Sequence, residues 1–225
     1  MRLILLIKKY YSFFLPYLLF LLVAGIFLLS NTRTETHIYL NQFLHPSFNS
    51  FFTYYTHFGD GLMLFAFALL LLFVKFRYAF FLGLTGMISG SITNLLKNFV
   101  YGHIERPYFF FKYRQSDYSL NLVLPEEAMN IHNSFPSGHT TGAFCMFVGL
   151  MLIQNKPKWG YFFFVFAILG GYSRVYLSQH FLVDIYFGSL IGTIISIIGW
   201  QVFENLNKKE KLNWWNKSLL NLKSK

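Results

Sequence analysis

The sequence is short of charge. Only 12% of its 225 residues are Asp, Glu, Lys or Arg, about half the share of an ordinary soluble domain. Acids are scarcest, nine against 19 Lys and Arg. A single cysteine, Cys145, sits in an apolar run. It excludes an intramolecular disulfide and reads as a small packed side chain. There is no internal repeat and no low-complexity tract. What fills the chain is apolar: 55% hydrophobic residues, with 29 Phe and 15 Tyr and a mean hydropathy of +0.43. That composition suits a chain embedded in lipid, with aromatic rings near the interfaces. A net charge of +10 would suggest nucleic acid in a soluble protein. Here the cations lie between apolar runs and at the chain ends, as topology signals do, so no nucleic-acid partner is expected.

The runs predict an all-α polytopic protein with six membrane helices in one bundle. The first covers Phe13 to Leu29. No small-residue cleavage site follows it, so it reads as an uncleaved membrane helix rather than a signal peptide. Ser30 to His45 is polar and reads as a loop. The second helix is expected from Pro46 to Val74 and the third from Tyr78 to Leu96, where Gly83, Gly86 and Gly90 permit tight packing in lipid. Asn98 to Ser134 holds only a short aromatic stretch, Tyr108 to Phe111, which suits an interfacial or re-entrant piece between helices 3 and 4. The fourth helix follows Pro136, the fifth covers Tyr161 to Val175, and the sixth Phe181 to Phe203. Residues 1–203 then form one membrane domain. Residues 204–225, with Trp214 and Trp215, form a basic tail that suits a short amphipathic surface helix.

Six helices put both termini on one side, and thirteen of the 19 Lys and Arg fall on that side. The positive-inside rule makes it cytoplasmic. The opposite side carries three clusters. One is Lys97 with Arg106-Pro107. The second is Pro136-Ser137-Gly138-His139. The third is Ser173-Arg174, with His180 and Asp184 beyond. His180 and Asp184 are i and i+4, so on a helix they share a face. The carboxylate would fix one imidazole nitrogen and leave the other as a nucleophile. A polar pair locking two helices is the plainer reading, but ionisable residues at membrane depth are expensive and usually functional. A metal site lacks a third ligand at suitable spacing. Pro136 to His139 reads as a helix start, where free amides and the dipole favour an anion. Ser137 adds a hydroxyl donor, Gly138 allows close approach, and His139 has an ordinary pKa near neutral, suited to proton transfer. Alone, that stretch is an ordinary cap. Lys97, Arg106 and Arg174 would each pass as interfacial charges. Together the three cations, two histidines, Ser-Gly turn and orienting carboxylate make a full set for phosphoryl transfer through a phospho-histidine.

The pattern resembles the type 2 phosphatidic acid phosphatase superfamily, whose signature is Lys-x6-Arg-Pro, Pro-Ser-Gly-His and Ser-Arg-x5-His-x3-Asp. The second and third parts are matched at Pro136–His139 and Ser173–Asp184, and the likeness spans residues 97–184. It implies that His180 attacks phosphorus, Asp184 orients it and His139 protonates the leaving alcohol. It implies that Lys97, Arg106, Ser137, Gly138 and Arg174 hold the phosphate, with no metal and no cofactor. The first part departs from the pattern: eight residues, not six, separate Lys97 from Arg106. At about 100° per residue, eight places them on opposite faces of one helix. The helix is therefore expected to break between them, at Gly102.

The expected activity is hydrolysis of a lipid phosphate, monoester or diphosphate, at the outer face of a bacterial inner membrane. Lipid A, undecaprenyl diphosphate and glycerophospholipid phosphates are the candidate substrates. Asn133-Ser134-Phe135 after a long loop is most similar to bacterial lipid A phosphatases, with polyprenyl diphosphate close behind. The other class weighed is a non-catalytic lipid-binding or transport protein on the same scaffold. His57 and Asp60, at membrane depth, call for a polar partner but stand outside the expected site. His37 and His45 read as loop residues.

Overall fold

The computed structural model describes residues 3–115, 117–208 and 213–221, and every regular element among them is helical. A short α1 (Leu3–Lys9) leads into α2 (Tyr11–Ser30). Leu15, Leu19, Leu22 and Ile26 line its outward face, all exposed. An apolar stripe of that size suits lipid and not water.

The stretch expected as a loop contains α3 (Arg33–Asn41). Its start is a capping box. The Thr32 hydroxyl accepts from the Glu35 amide at 3.2 Å, and the Glu35 carboxylate accepts from the Thr32 amide at 2.8 Å. Such a box contributes about 1 kcal/mol, and it overrides the polar composition. His37 lies inside this helix and is buried, so it is no loop residue. His45 caps α4, accepting from the Ser47 amide at 3.3 Å.

The second helix is not one rod. It divides into α4 (Pro46–Tyr55), a 3-10 turn at Thr56–Gly59, and α5 (Gly61–Leu71), bent by 61°. The cause is a close contact. A Cβ on Gly59 would stand 2.5 Å from the His139 carbonyl oxygen, and one on Gly142 would stand 2.5 Å from that of Gly59. The break is thus seated on the first turn of α8 (Gly138–Gln154), and only glycine permits the approach.

α6 (Phe76–Leu95) packs along α5. Gly86 lies under Leu64, and Gly83 faces Ala68 at 3.8 Å from its Cβ position, whereas Gly90 faces open space. After α6 the backbone widens into a π turn at Leu96–Val100 and stops before Gly102. Among the described residues of the outer segment α7 (Pro107–Tyr113) is the one short helix apart from a 3-10 turn. α8 is the centre of the bundle, packed by α6, α9 (Gly160–Tyr176) and α10 (Leu182–Lys208). Ala143 to Val148 are all buried, because α8 has neighbours on every side.

The expected surface helix in the tail is corrected where the structure describes it. Asn213–Asn216 forms a 3-10 turn that folds back onto the bundle. Trp215 stacks on Phe203 at 5.3 Å between ring centroids, and the Phe76 amide donates to the Lys217 carbonyl at 2.9 Å. Residues 209–212 and 222–225 of that tail lie outside the described residues.

Among the described residues three helices are long and apolar enough to cross a membrane: Tyr11–Ser30, Phe76–Val100 and Leu182–Asn207. The bent α4–α5 pair makes a fourth if it is one span.

Candidate active site at the N-terminal end of α8

The site forms where α8 begins, α9 ends and α10 begins. Asp184, in the first turn of α10, gathers three donors on one carboxylate oxygen. They are the His180 Nδ1 at 3.1 Å, the Ser134 hydroxyl at 2.5 Å and the Phe181 amide at 2.9 Å. Its own carbonyl accepts from the Ser137 amide at 3.1 Å. The second and third motifs are therefore tied through one residue. His180 and Asp184 are each 1% exposed at the side chain. Burial holds the His180 imidazole well below its ordinary value, and Arg106, Lys97, Arg174 and His139 push the same way. A neutral ring bonded at Nδ1 leaves Nε2 as a lone pair.

Lys97 and Arg106 converge despite their spacing. Lys97 donates to the Asn133 carbonyl at 2.8 Å, and Arg106 Nη2 reaches the same oxygen at 3.5 Å. The π turn and the stop before Gly102 turn the chain between them, which a continuous helix would not do. Asn133 presents that carbonyl from a left-handed conformation, φ 57°, which asparagine tolerates. Arg106 also donates to the His132 carbonyl at 2.9 Å and to the Gln179 side chain at 3.2 Å. Burial lowers its basicity, offset in part by Asp184. Arg174, near the end of α9, donates to Thr56 at 2.7 Å, and its Nε is buried without a partner among the described residues.

Ser137 caps α8. Its hydroxyl oxygen accepts from the Thr140 amide at 3.3 Å and from the Thr140 hydroxyl at 2.9 Å. The first amides of α8, Gly138 and His139, have no carbonyl within the helix. A Cβ on Gly138 would meet only Thr93, at 3.8 Å. His139 Nε2 pairs with Asp60 Oδ1 at 2.6 Å, and the other oxygen of Asp60 pairs with His57 Nδ1 at 2.8 Å. All eight residues expected of the site thus stand around one helix start. Among the described residues no three His, Cys, Asp or Glu side chains group as a metal would require.

Sequence reasoning left out Asp60, Thr56, Ser134, Asn133 and Gln179. Asp60 and Thr56 carried a signal, as polar residues inside an apolar run. Asn133 acts through its backbone carbonyl, where residue type is silent, and Gln179 lies in the turn between α9 and α10, where no local pattern marks its side chain. Glu105 pairs with Arg114 at 3.0 Å.

A helical membrane protein with a buried histidine–carboxylate pair, ringed by three cations at a helix start, is what fold and site define. The chain belongs to the PAP2 superfamily, whose model matches residues 76–208, more than half of it. It is 33% identical to the undecaprenyl-diphosphatase BcrC of Bacillus subtilis over 53% of this chain and 54% of that one. It is 30% identical to a lipid A 1-phosphatase of Rhizobium johnstonii over 56% and 47%. The chain thus spans about half the length of the curated relatives it matches. Among solved structures it resembles Aquifex aeolicus LpxE, with a TM-score of 0.64 and 30% identity, over 74% of this chain and 93% of that one.

Proposed function

We propose that the protein is a multi-pass membrane phosphatase that removes phosphate from a lipid headgroup, monoester or diphosphate, through a phospho-histidine at His180. What carries the reading is one imidazole, neutral and buried, held by Asp184 and faced by Lys97, Arg106 and Arg174. A phosphate dianion needs such a ring of cations. Arginine binds its oxygens in a fork, and the unpartnered Arg174 Nε is a donor suited to one of them.

In this mechanism the His180 Nε2 lone pair attacks phosphorus. The P–O bond to the lipid breaks, and the leaving oxygen takes a proton from His139. Water then attacks the phospho-histidine, giving its proton back to His139. The P–N bond breaks and its electron pair returns to Nε2. The α8 amides of Gly138 and His139, with the three cations, stabilise the charge on the equatorial oxygens. No metal and no cofactor enters this scheme. Six passes follow if α8 and α9 span together with the four candidates. At about 1.5 Å per residue each would cover roughly 25 Å, close to the bilayer core. The cation count then puts both termini in the cytoplasm and the site on the outside of a bacterial inner membrane. Lipid A and undecaprenyl diphosphate lead the candidate substrates, since relatives carry those activities in their names.

The test is phosphate release by the purified chain in detergent with EDTA. Phosphatidic acid, undecaprenyl diphosphate and lipid A are offered side by side. Release from one of them should survive EDTA and fall at least ~10³-fold in His180→Ala. Release lost to EDTA, or retained in the variant, overturns the mechanism. No release from any lipid by folded protein would favour a lipid-binding or transport protein instead.

A further inference from the structure

The contact between Asp60 and His139 joins the middle of the second apolar run to the second motif, and nothing in the motifs calls for it. Asp60 stands at the N-cap of α5, with φ −72° and ψ 142°, yet its side chain makes no capping bond. An aspartate there ordinarily accepts from the amides of its own helix. Here both oxygens turn the other way, one to His139 Nε2 at 2.6 Å and one to His57 Nδ1 at 2.8 Å. The turn is fixed by the glycine contacts, because Gly59 rests on the His139 carbonyl and Gly142 on that of Gly59. Asp60 and His139 are thus held by backbone as well as by side chain.

The charges around His139 give the contact a purpose. The cations that face it are Arg174, from α9, and Arg106, from the outer segment. His180 lies in the same field, from the loop before α10. His57 stands beyond Asp60. Asp60 is the anion that faces this ring. An imidazole that must hold a proton beside two guanidinium groups needs such a counter-charge.

We propose that Asp60 is a positioning residue for His139, an inference that rests on the phosphatase reading. Asp60 keeps a proton on Nε2 of His139 and so assigns Nδ1 as the nitrogen that serves the leaving group. In the charged ring both nitrogens carry hydrogen. When the P–O bond breaks, the Nδ1 proton moves to the leaving oxygen and the ring is left as the neutral Nε2–H form, still bonded to Asp60. In the second step Nδ1 takes the proton of the attacking water. Asp60 itself neither gains nor loses a proton.

Two measurements on the full chain in detergent test this. The first compares kcat/KM, which reads through the departure of the leaving group and not the later hydrolysis, for a lipid alkyl phosphate and for p-nitrophenyl phosphate, whose leaving group departs without a proton. Asp60→Asn should lower kcat/KM about 10²-fold on the alkyl substrate, the lower range for loss of acid catalysis. The same variant should lose only a few-fold on the aryl substrate, and Asp60→Glu should recover part of the alkyl activity. Equal losses on both substrates would mean that Asp60 is merely structural, and the proposal would be overturned. The second is NMR of 15N-histidine protein, which needs no turnover. At a pH where the ring is neutral, His139 should show the Nε2–H form in the wild type and a mixture of tautomers in Asp60→Asn. An unchanged tautomer also overturns it. A wild type that releases no phosphate while the tautomer shifts would sink the phosphatase reading and leave the Asp60–His139 contact standing.

Discussion

Two histidine–carboxylate pairs face one another across this site, and they differ in water. His180 and Asp184 are 1% exposed each, whereas His139 and Asp60 are 32% exposed each. Asp184 accepts a hydroxyl, an amide and an imidazole on one oxygen. Among the described residues Asp60 accepts from two histidines, one of them exposed at 61%. A dry imidazole beside three cations stays neutral, as a nucleophile must. A ring with partial access to water and a carboxylate beside it is placed to pass a proton, as the proposed acid must. In the proposed mechanism the same two side-chain types take opposite roles, and burial and the number of competing donors are what set them apart.

The sharpest way to break that comparison is to remove one carboxylate at a time. Asp184→Asn should lower phosphate release about 10⁴-fold, the scale found when an orienting aspartate becomes an amide. One amide oxygen cannot serve the same three donors, and the wrong imidazole nitrogen would carry hydrogen. That loss should exceed the loss in Asp60→Asn by about two orders of magnitude. Equal losses in the two variants would mean that the pairs do not divide the work as their burial suggests.

A smaller effect tests the backbone support. In Gly59→Ala the new methyl carbon would stand 2.5 Å from the His139 carbonyl oxygen, so the break or the start of α8 must shift. Thermal stability in detergent should fall by about 1–3 kcal/mol, the scale of overpacking, and activity should fall with it. Gly61→Ala is the control. Its Cβ would meet nothing within 4 Å, so both readouts should stay close to the wild type. A tolerant Gly59 would remove the rigid support assigned to Asp60.

The comparison also separates what the chain discloses in one dimension from what it does not. Local chemistry was legible: Ser137 caps α8, and the helix carrying Lys97 ends short of Gly102. The capping box at Thr32 and Glu35 was present in the sequence and outweighed by a polar composition. The 61° break at Asp60 was masked by hydropathy, which counts Gly59 and Gly61 as acceptable members of an apolar run. The pairing of Asp60 with His139 is set by how the broken helix lands on α8, and no local pattern encodes it. Lys97 and Arg106 meet on the Asn133 carbonyl, a backbone atom whose position residue type does not report.

A third histidine sharpens the lesson, since His37 is buried and bonds to no carboxylate among the described residues. Its Nε2 lies 3.3 Å from the Ser178 hydroxyl, and its Nδ1 is buried without a partner among them. It sits in α3, outside the candidate spans. Burial lowers its pKa to about 3 from an ordinary 6.5, so the folded protein binds a proton here less readily than the unfolded chain does. The stability this neutral ring confers is therefore complete above pH 6.5. It is lost as the pH falls through 6.5 toward 3, by at most about 1.4 kcal/mol per pH unit. Unfolding in detergent, followed between pH 7.5 and 4.5, should show the wild type losing stability faster than His37→Gln, which has no proton to gain. Parallel slopes would mean that His37 reaches water in the folded protein. Burial without a counter-ion would then not suffice to keep an imidazole neutral here, and the neutrality of His180 would have to rest on its cations and on Asp184.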